Sequence, residues 1–119
     1  MKYTDSHEWI RVEGRQATVG ISAHAQKELG EIVYVELPKV GQEVKAGGEI
    51  AVLESTKAAA DIYAPVSGKV TKVNERLQED VSSLNTSPES TGWLFEVEME
   101  NPAEVDELLD QTAYQTLIR

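Results

Sequence analysis

The sequence predicts a mainly β protein, a closed or sandwiched β structure in one domain, with a short helix in its N-terminal half and a helical C-terminus. Three observations carry this. Apolar and polar residues alternate with a period of two through most of the 119 residues, the pattern of half-buried strands. Gly, Pro, Asn and Ser interrupt that alternation at short intervals, as in sandwiches and barrels. The period changes to a helical one only around residues 22–30 and after Asn101. No linker-like composition divides the chain, so residues 1–119 read as a single domain with one modest core.

The elements follow in order. "HEWIRVEGRQATVGIS" places Trp9, Ile10 and Val12 before Gly14, and Ala17, Val19 and Ile21 after it; it reads as a hairpin turning at "EGRQ". In "SAHAQKELG", Ser22 can cap, Ala25 and Leu29 share a helical face and Gly30 ends a helix of about two turns. "EIVYVELP" sets Ile32, Tyr34 and Glu36 against Val33, Val35 and Leu37, and Pro38 ends that strand. Short strands are expected within "VGQEVKAGGEIAVLES", "TKAAADIYAPVSGKVTKVN" and "GWLFEVEME". "NERLQEDVSSLNTSPESTG" between them reads as a polar loop. In the tail, Asn101 and Pro102 form an N-cap and N1 pair with Glu104 at N3. Val105, Leu108 and Leu109 make an apolar helical stripe, and Tyr114, Leu117 and Ile118 continue it beyond a break near Gln111. "GQEVKAG" and "QEDVSSL" form a faint internal echo on either side of Lys57, too short to establish a repeat.

Composition excludes several function classes. The formal charge is −10, from 21 acids and 11 bases. That disfavours nucleic acid, which needs a basic face, and anionic membrane surfaces. It suits partners with basic docking faces. The chain has no cysteine, so thiolate metal sites, disulfides and cysteine nucleophiles are absent. Its apolar runs are too short to cross a bilayer, and "MKYTDSHEW" lacks the features of a secretory signal. The expected location is a bacterial cytoplasm, or a mitochondrial matrix after removal of a transit peptide.

The stretch "VLESTKAAADIY" carries the chemistry. Ile50 and Val52 alternate with Ala51 and Leu53, and the alternation resumes at Ala60, Ile62 and Ala64, with Ser55, Thr56, Lys57 and Ala58 between. Two strands joined by about four residues form a hairpin, expected over residues 49–64, with Lys57 at its tip. A ladder on both sides fixes the backbone there. The lysine adds a flexible stem and an amine whose acylation removes a charge and lengthens the arm. Spacing alone does not separate such a site from an ordinary lysine in a polar turn.

"LESTKAAADIYAPVSGKV" resembles the lipoyl-attachment segment of the H-protein family of the glycine cleavage system. "SHEWI", "VGISAHAQKELGEIVYVELPKVGQEV", "GWLFEVE" and "NPAEVDELLDQTAY" follow the family pattern in the same order, so the resemblance covers nearly the whole chain. It implies a barrel-sandwich hybrid fold of the lipoyl and biotinyl type and lipoate in amide linkage to Lys57. It also implies a carrier without turnover of its own. Such a carrier is loaded with an aminomethyl group by glycine decarboxylase (P protein), unloaded by an aminomethyltransferase (T protein) and reoxidised by dihydrolipoamide dehydrogenase (L protein). A lipoate ligase or octanoyltransferase would attach the cofactor, with Glu54 as part of its address. Ser6, Glu8 and Asp61 match the positions that line the pocket for the loaded arm, where a carboxylate could hold a protonated amine.

Other residues read more plainly. His7 and His24 make no metal spacing and are expected to be structural. Trp9 and Trp93 are expected in the core or a cleft wall. Ser55 and Thr56 have no base and orienting partner, which excludes a hydrolase. Rival readings are a biotin-type carrier, disfavoured because Thr56 and Ala58 replace flanking methionines, an H-like protein relaying lipoate to other enzymes, and an unmodified structural β module. The chain departs from the family pattern at Thr56, where valine is usual, and at Val81, near a common proline. It departs also at Pro88–Glu89–Ser90–Thr91, where "PYGEGW" is typical.

Overall fold

The computed structural model describes residues 1–119 and is mainly β. Strands β1 (Lys2–Tyr3), β2 (Glu8–Glu13) and β3 (Gln16–Ile21) precede helix α1 (Ala23–Leu29). Strands β4 (Ile32–Glu36), β5 (Glu43–Val44), β6 (Glu49–Ser55), β7 (Ala59–Tyr63) and β8 (Gly68–Val73) follow. Then come α2 (Arg76–Glu79), α3 (Ser82–Thr86), β9 (Phe95–Met99), a 3₁₀ segment (Pro102–Glu107) and α4 (Gln111–Ile118). The strands form a six-stranded sheet in the order β1-β2-β3-β9-β8-β5 and a three-stranded sheet in the order β4-β6-β7. A cluster of 20 buried residues, among them Ile10, Val19, Leu53, Ile62, Val70 and Phe95, forms the main core. No helix is long and apolar enough to cross a membrane.

The N-terminal hairpin and α1 form as the sequence predicts. β2 and β3 pair antiparallel around Gly14, whose φ of +62° suits the turn. The Ser22 side chain accepts from the Ala25 N–H, capping α1. In β4 the strict alternation fails. A register shift between Ile32 and Tyr34 lets Ile32 and Val35 both point inward, while Val33 and Tyr34 are both exposed. One extra residue in a bulge shifts the side-chain phase in this way. A second irregularity between Glu49 and Ala51 buries Ile50 and Ala51 together.

The segment expected to be a polar loop contains two short helices and two core residues. Leu77 and Leu84 are fully buried. The segment also covers the outer edge of β4. The Asn85 amide accepts from the Ile32 N–H at 2.8 Å and donates to the Ile32 carbonyl at 2.9 Å. Gln78 donates to the Val35 carbonyl at 3.3 Å. Side chains thus stand in for a neighbouring strand along an edge that would otherwise invite pairing. The internal echo is not kept in three dimensions, since "GQEVKAG" includes strand β5 and "QEDVSSL" joins the end of α2 to the start of α3.

The tail also differs from a single helical stripe. Asn101 caps the 3₁₀ segment and Pro102 opens it, but Glu104 does not complete a capping box. Its carboxylate accepts instead from the Ser67 N–H at 2.7 Å and the Ser67 hydroxyl at 3.0 Å, just before β8. Leu108 ends the segment in extended geometry, and Leu109 forms a β-bridge with Tyr3. Val105 and Leu108 pack on the main core, and Leu109 on a second cluster of Tyr3, Trp9 and Tyr114. α4 begins at the expected break, capped by Asp110.

Leu84→Ala should reduce the unfolding free energy by about 2–5 kcal/mol, the usual range for emptying a closed core position. Leu117→Ala, at a site 50% exposed, should stay within about 0.5 kcal/mol of the parent. Urea denaturation midpoints measure both, and equal losses would show that the α3 segment is not part of the core.

Candidate functional site

The β6–β7 hairpin presents Lys57. Its ladder runs from Glu49↔Tyr63 to Glu54↔Ala59, with Leu53 and Ile62 anchoring the inner face. At the tip the Ser55 N–H donates to the Ala58 carbonyl at 2.8 Å. The Ser55 hydroxyl oxygen accepts from the Lys57 and Ala58 N–H groups at 3.1 and 3.0 Å. Ser55 is therefore a turn-forming residue. The Thr56 N–H donates to the Glu31 carbonyl at 3.0 Å, fixing the turn to the loop after α1. Thr56, Lys57, Ala58 and Ala59 are all exposed. The lysine stem crosses Gly30, where a Cβ would stand 2.9 Å from Lys57 Cε. Gly30 itself has φ +82° and ψ −152°, a region open essentially to glycine alone.

A cleft of about 310 Å³ lies near the far end of β7, with Tyr3, Ser6, Glu8, Tyr63, Leu108 and Leu109 in its lining. Ala59, Asp61 and Tyr63 share the outer face of β7, on the opposite side from buried Ile62. The strand leads from the lysine turn to the cleft, and Ala59 to Tyr63 spans about 13 Å at ~3.3 Å per residue.

Glu8 is the buried charge of the cleft, with 1% of its surface exposed. Its carboxylate accepts from the hydroxyls of Thr4 and Ser6, the latter at 2.6 Å, and from the Tyr63 N–H at 3.2 Å. β7 is an edge strand, so this last bond uses an edge donor to join the two sheets. Burial pushes the Glu8 carboxyl above its ordinary value, while the Ser6 and Thr4 hydroxyls and the Tyr63 N–H pull it back. A carboxylate so placed can hold a cationic guest.

Of the residues singled out from sequence, Ser6 and Glu8 meet in the cleft. Asp61 is exposed on β7, beside the cleft and outside its lining. Glu54 is exposed on β6 opposite Tyr34 and Ala59. Thr4 and Tyr63 were not singled out, although the spacing of hydroxyls and acid in "TDSHE" is a signal for the first. Trp9 is core, not cleft wall. It covers Gly20, and its indole N–H donates to the Pro88 carbonyl at 2.8 Å. His7 Nδ1 lies 2.8 Å from the Tyr114 hydroxyl and His24 lies 3.4 Å from Glu28, and no group of three metal-ligating side chains occurs. The unusual Glu89 has a clear role. It accepts from the Tyr3 hydroxyl at 3.0 Å and from the Ala23 N–H at 2.7 Å, at the start of α1.

A family model described as glycine cleavage H-protein matches residues 1–119. The glycine cleavage system H protein of Thermotoga maritima is 54% identical over 114 residues, covering 96% of this chain and 92% of that protein. The protein of the same name from Stenotrophomonas maltophilia is 55% identical over 115 residues, covering 96% and 88%. A crystal structure of a glycine cleavage system H protein from Mycobacterium marinum superposes with a TM-score of 0.88 at 37% identity, covering 97% of this chain and 93% of that one.

The raised Glu8 value has a signed consequence. The folded chain keeps this proton to higher pH than the unfolded chain does. The resulting stability is complete below about 4.5 and is lost as pH rises through the folded value. Glu8→Gln does not titrate. The parent should therefore lose stability relative to Glu8→Gln as pH rises through that window. His7, lowered by burial and by His24, gives the opposite slope in both proteins and cancels. Urea midpoints across a pH series test this, and a pH-independent difference would mean that Glu8 is not held above its ordinary value.

Proposed function

The chain belongs to the glycine cleavage H-protein family, and from that premise we propose that it is a lipoyl carrier with lipoate in amide linkage to the Lys57 amine. The observation that supports this most directly is the exposed lysine at the tip of a hairpin whose backbone is fixed by Ser55 and by the Glu31 carbonyl. The residues present fit the group. Small or short side chains flank Lys57, and a cleft with a buried carboxylate lies along the same strand.

When attached, lipoate supplies a disulfide that takes up the aminomethyl unit of glycine and gives it up to the next enzyme. The chain's own residues do the rest. Lys57 supplies the amine and the flexible stem. Glu54, exposed three residues before it, forms part of the surface that the attaching enzyme reads. Ser6 and Glu8 form the polar end of the cleft, in which a protonated amine would be held and shielded from water. Asp61 lies on the way from the turn to the cleft and adds negative charge. The proposed partners are glycine decarboxylase, the aminomethyltransferase, dihydrolipoamide dehydrogenase and a lipoate ligase or octanoyltransferase. Conversion of glycine is the partners' chemistry, and this chain is the non-catalytic subunit. The proposed location is that of those enzymes, a bacterial cytoplasm or a mitochondrial matrix.

Lys57→Arg keeps the charge and removes the acylatable amine. Incubated with lipoate ligase, lipoate and ATP, the parent should gain one lipoyl mass and Lys57→Arg none. Acylation of the variant would place the site elsewhere, and a biotinyl mass on protein from the native host would favour the rival carrier.

A carrier must meet several enzymes in turn and leave each quickly. The outer face of the β4-β6-β7 sheet sets Tyr34, Glu54 and Ala59 in one row and Glu36, Val52 and Asp61 in the next. With a net charge of −10, such a face attracts basic docking surfaces over a distance that salt shortens to about 8 Å at physiological strength. Raising salt should lower the second-order rate of loading by glycine decarboxylase at low carrier concentration and leave the first-order step in the complex nearly unchanged. A flat salt series would mean that docking is apolar or strictly local.

A further inference from the structure

The turn leading into β2 contains the only non-glycine residue with positive φ, His7 at +74°. A residue with a Cβ disfavours that conformation, so its surroundings must hold it. The His7 N–H donates to the Thr4 carbonyl at 3.2 Å, and the His7 carbonyl accepts from the Ser22 N–H at 2.9 Å. His7 Nδ1 lies 2.8 Å from the Tyr114 hydroxyl. Tyr114, in α4, also reaches the Ser22 hydroxyl at 2.6 Å. Its ring stacks on Tyr3 with centroids 4.3 Å apart and planes 3° from parallel.

These contacts converge on the cleft. Ser6 and Glu8 flank His7, so the His7 backbone angles decide whether the Ser6 hydroxyl reaches the Glu8 carboxylate at 2.6 Å. The chain that carries Tyr114 also supplies Leu108 and Leu109 to the cleft, and Leu109 is bridged to Tyr3 through both backbone bonds at 2.8 Å. Covering Tyr3 and Trp9 would require only the aromatic ring of residue 114. The hydroxyl, with its two partners, does something further.

We propose that Tyr114 is a positioning residue for the cleft: its hydroxyl holds His7 in the left-handed conformation that aims Ser6 at Glu8, so that docking of the C-terminal helix sets the polar end of the cleft. The proposal rests on reading that cleft as the site for the loaded arm. Its geometric content stands on the unmodified chain. The charged and titratable groups around His7 are Tyr114, His24, Glu28 and Asp5; Glu8 faces the Ser6, Thr4 and Tyr63 donors and, among titratable groups, Tyr114.

The test is Tyr114→Phe, which keeps the ring and its stack and removes the hydroxyl. The Glu8 carboxyl is followed by carbon NMR through a pH titration of the full, unmodified chain. Because the Ser6 and Thr4 hydroxyls lower the Glu8 value, loosening Ser6 should move its midpoint upward. His7→Asn, which tolerates positive φ, should stay close to the parent, and His7→Val, β-branched, should move further than Tyr114→Phe. Folding is monitored by the Trp9 indole N–H resonance, whose proton is bound to the Pro88 carbonyl. If His7→Val fails to fold, Tyr114→Phe decides alone. An unchanged Glu8 midpoint in folded Tyr114→Phe overturns the proposal and leaves the carrier reading intact. Failure of Lys57 to be acylated removes the carrier reading without altering the titration.

Discussion

The arrangement depends on the antiparallel ladder between β6 and β7. Its register places Lys57 in the turn, buries Leu53 and Ile62 against the larger sheet, and directs the outer residues of β7 from the turn toward the cleft. It also leaves the Tyr63 N–H unpaired on the edge of the smaller sheet, where the Glu8 carboxylate takes it. A slip of one residue would exchange the inner and outer faces of the whole hairpin. Ile62 would then turn outward and the lysine would leave the centre of its turn. The bulge at Glu49–Ala51 absorbs the bend of the strand while the tip keeps its pairing.

Glu8 shows how one side chain serves fold and site together. Its burial is costly for a carboxylate, and three donors, two from the turn between β1 and β2 and one from β7, offset that cost. A structural reading of Glu8 and a binding one are thus compatible, since the carboxylate that joins the sheets also faces the cleft. Glu89 does related work at the opposite side of Tyr3. It caps the start of α1 and fixes the Tyr3 hydroxyl. The Tyr3 hydroxyl is pushed up to about 12, first by burial and then by that bond. The loop at Pro88–Thr91, unusual in sequence, is consequently built into the N-terminal end of the fold.

Much of this was legible in the sequence because local signals and tertiary structure agree. Ser22 and Gly30 bound α1, Gly14 turns the first hairpin, Lys57 sits in the second, and Asp110 begins α4 where the helical pattern breaks. The failures share a physical cause, a partner distant in sequence. Leu77 and Leu84 stand alone among polar residues, and only the exposed edge of β4 explains why their segment folds against the core. Glu104 has the spacing of a capping box, but Ser67, just before β8, offers two donors from a distant part of the chain. In β4, alternation predicts the right strand and the wrong phase, because a bulge is a property of the pairing and not of the strand. At the site, the family resemblance of "SHEW" points to Ser6 and Glu8, whereas Thr4, Tyr63 and Tyr114 come together only through the fold.

The Ser55 turn has a consequence for how strongly the cleft must bind. With both N–H groups at the tip satisfied by one hydroxyl, the backbone there is held, and the rotatable stem is the side chain of Lys57. Any group joined to that amine is a short tether on a fixed anchor. Its effective concentration at the cleft is millimolar or higher. A pocket that bound the same group free in solution with only about millimolar affinity would hold the tethered one roughly half the time or more. A cleft of mixed polar and apolar lining, with the carboxylates of Asp5, Glu8 and Glu107, would therefore need no tight affinity to hold a group tethered in this way. Under the proposed carrier role, such weakness would let a partner enzyme draw the group out without overcoming a tight complex.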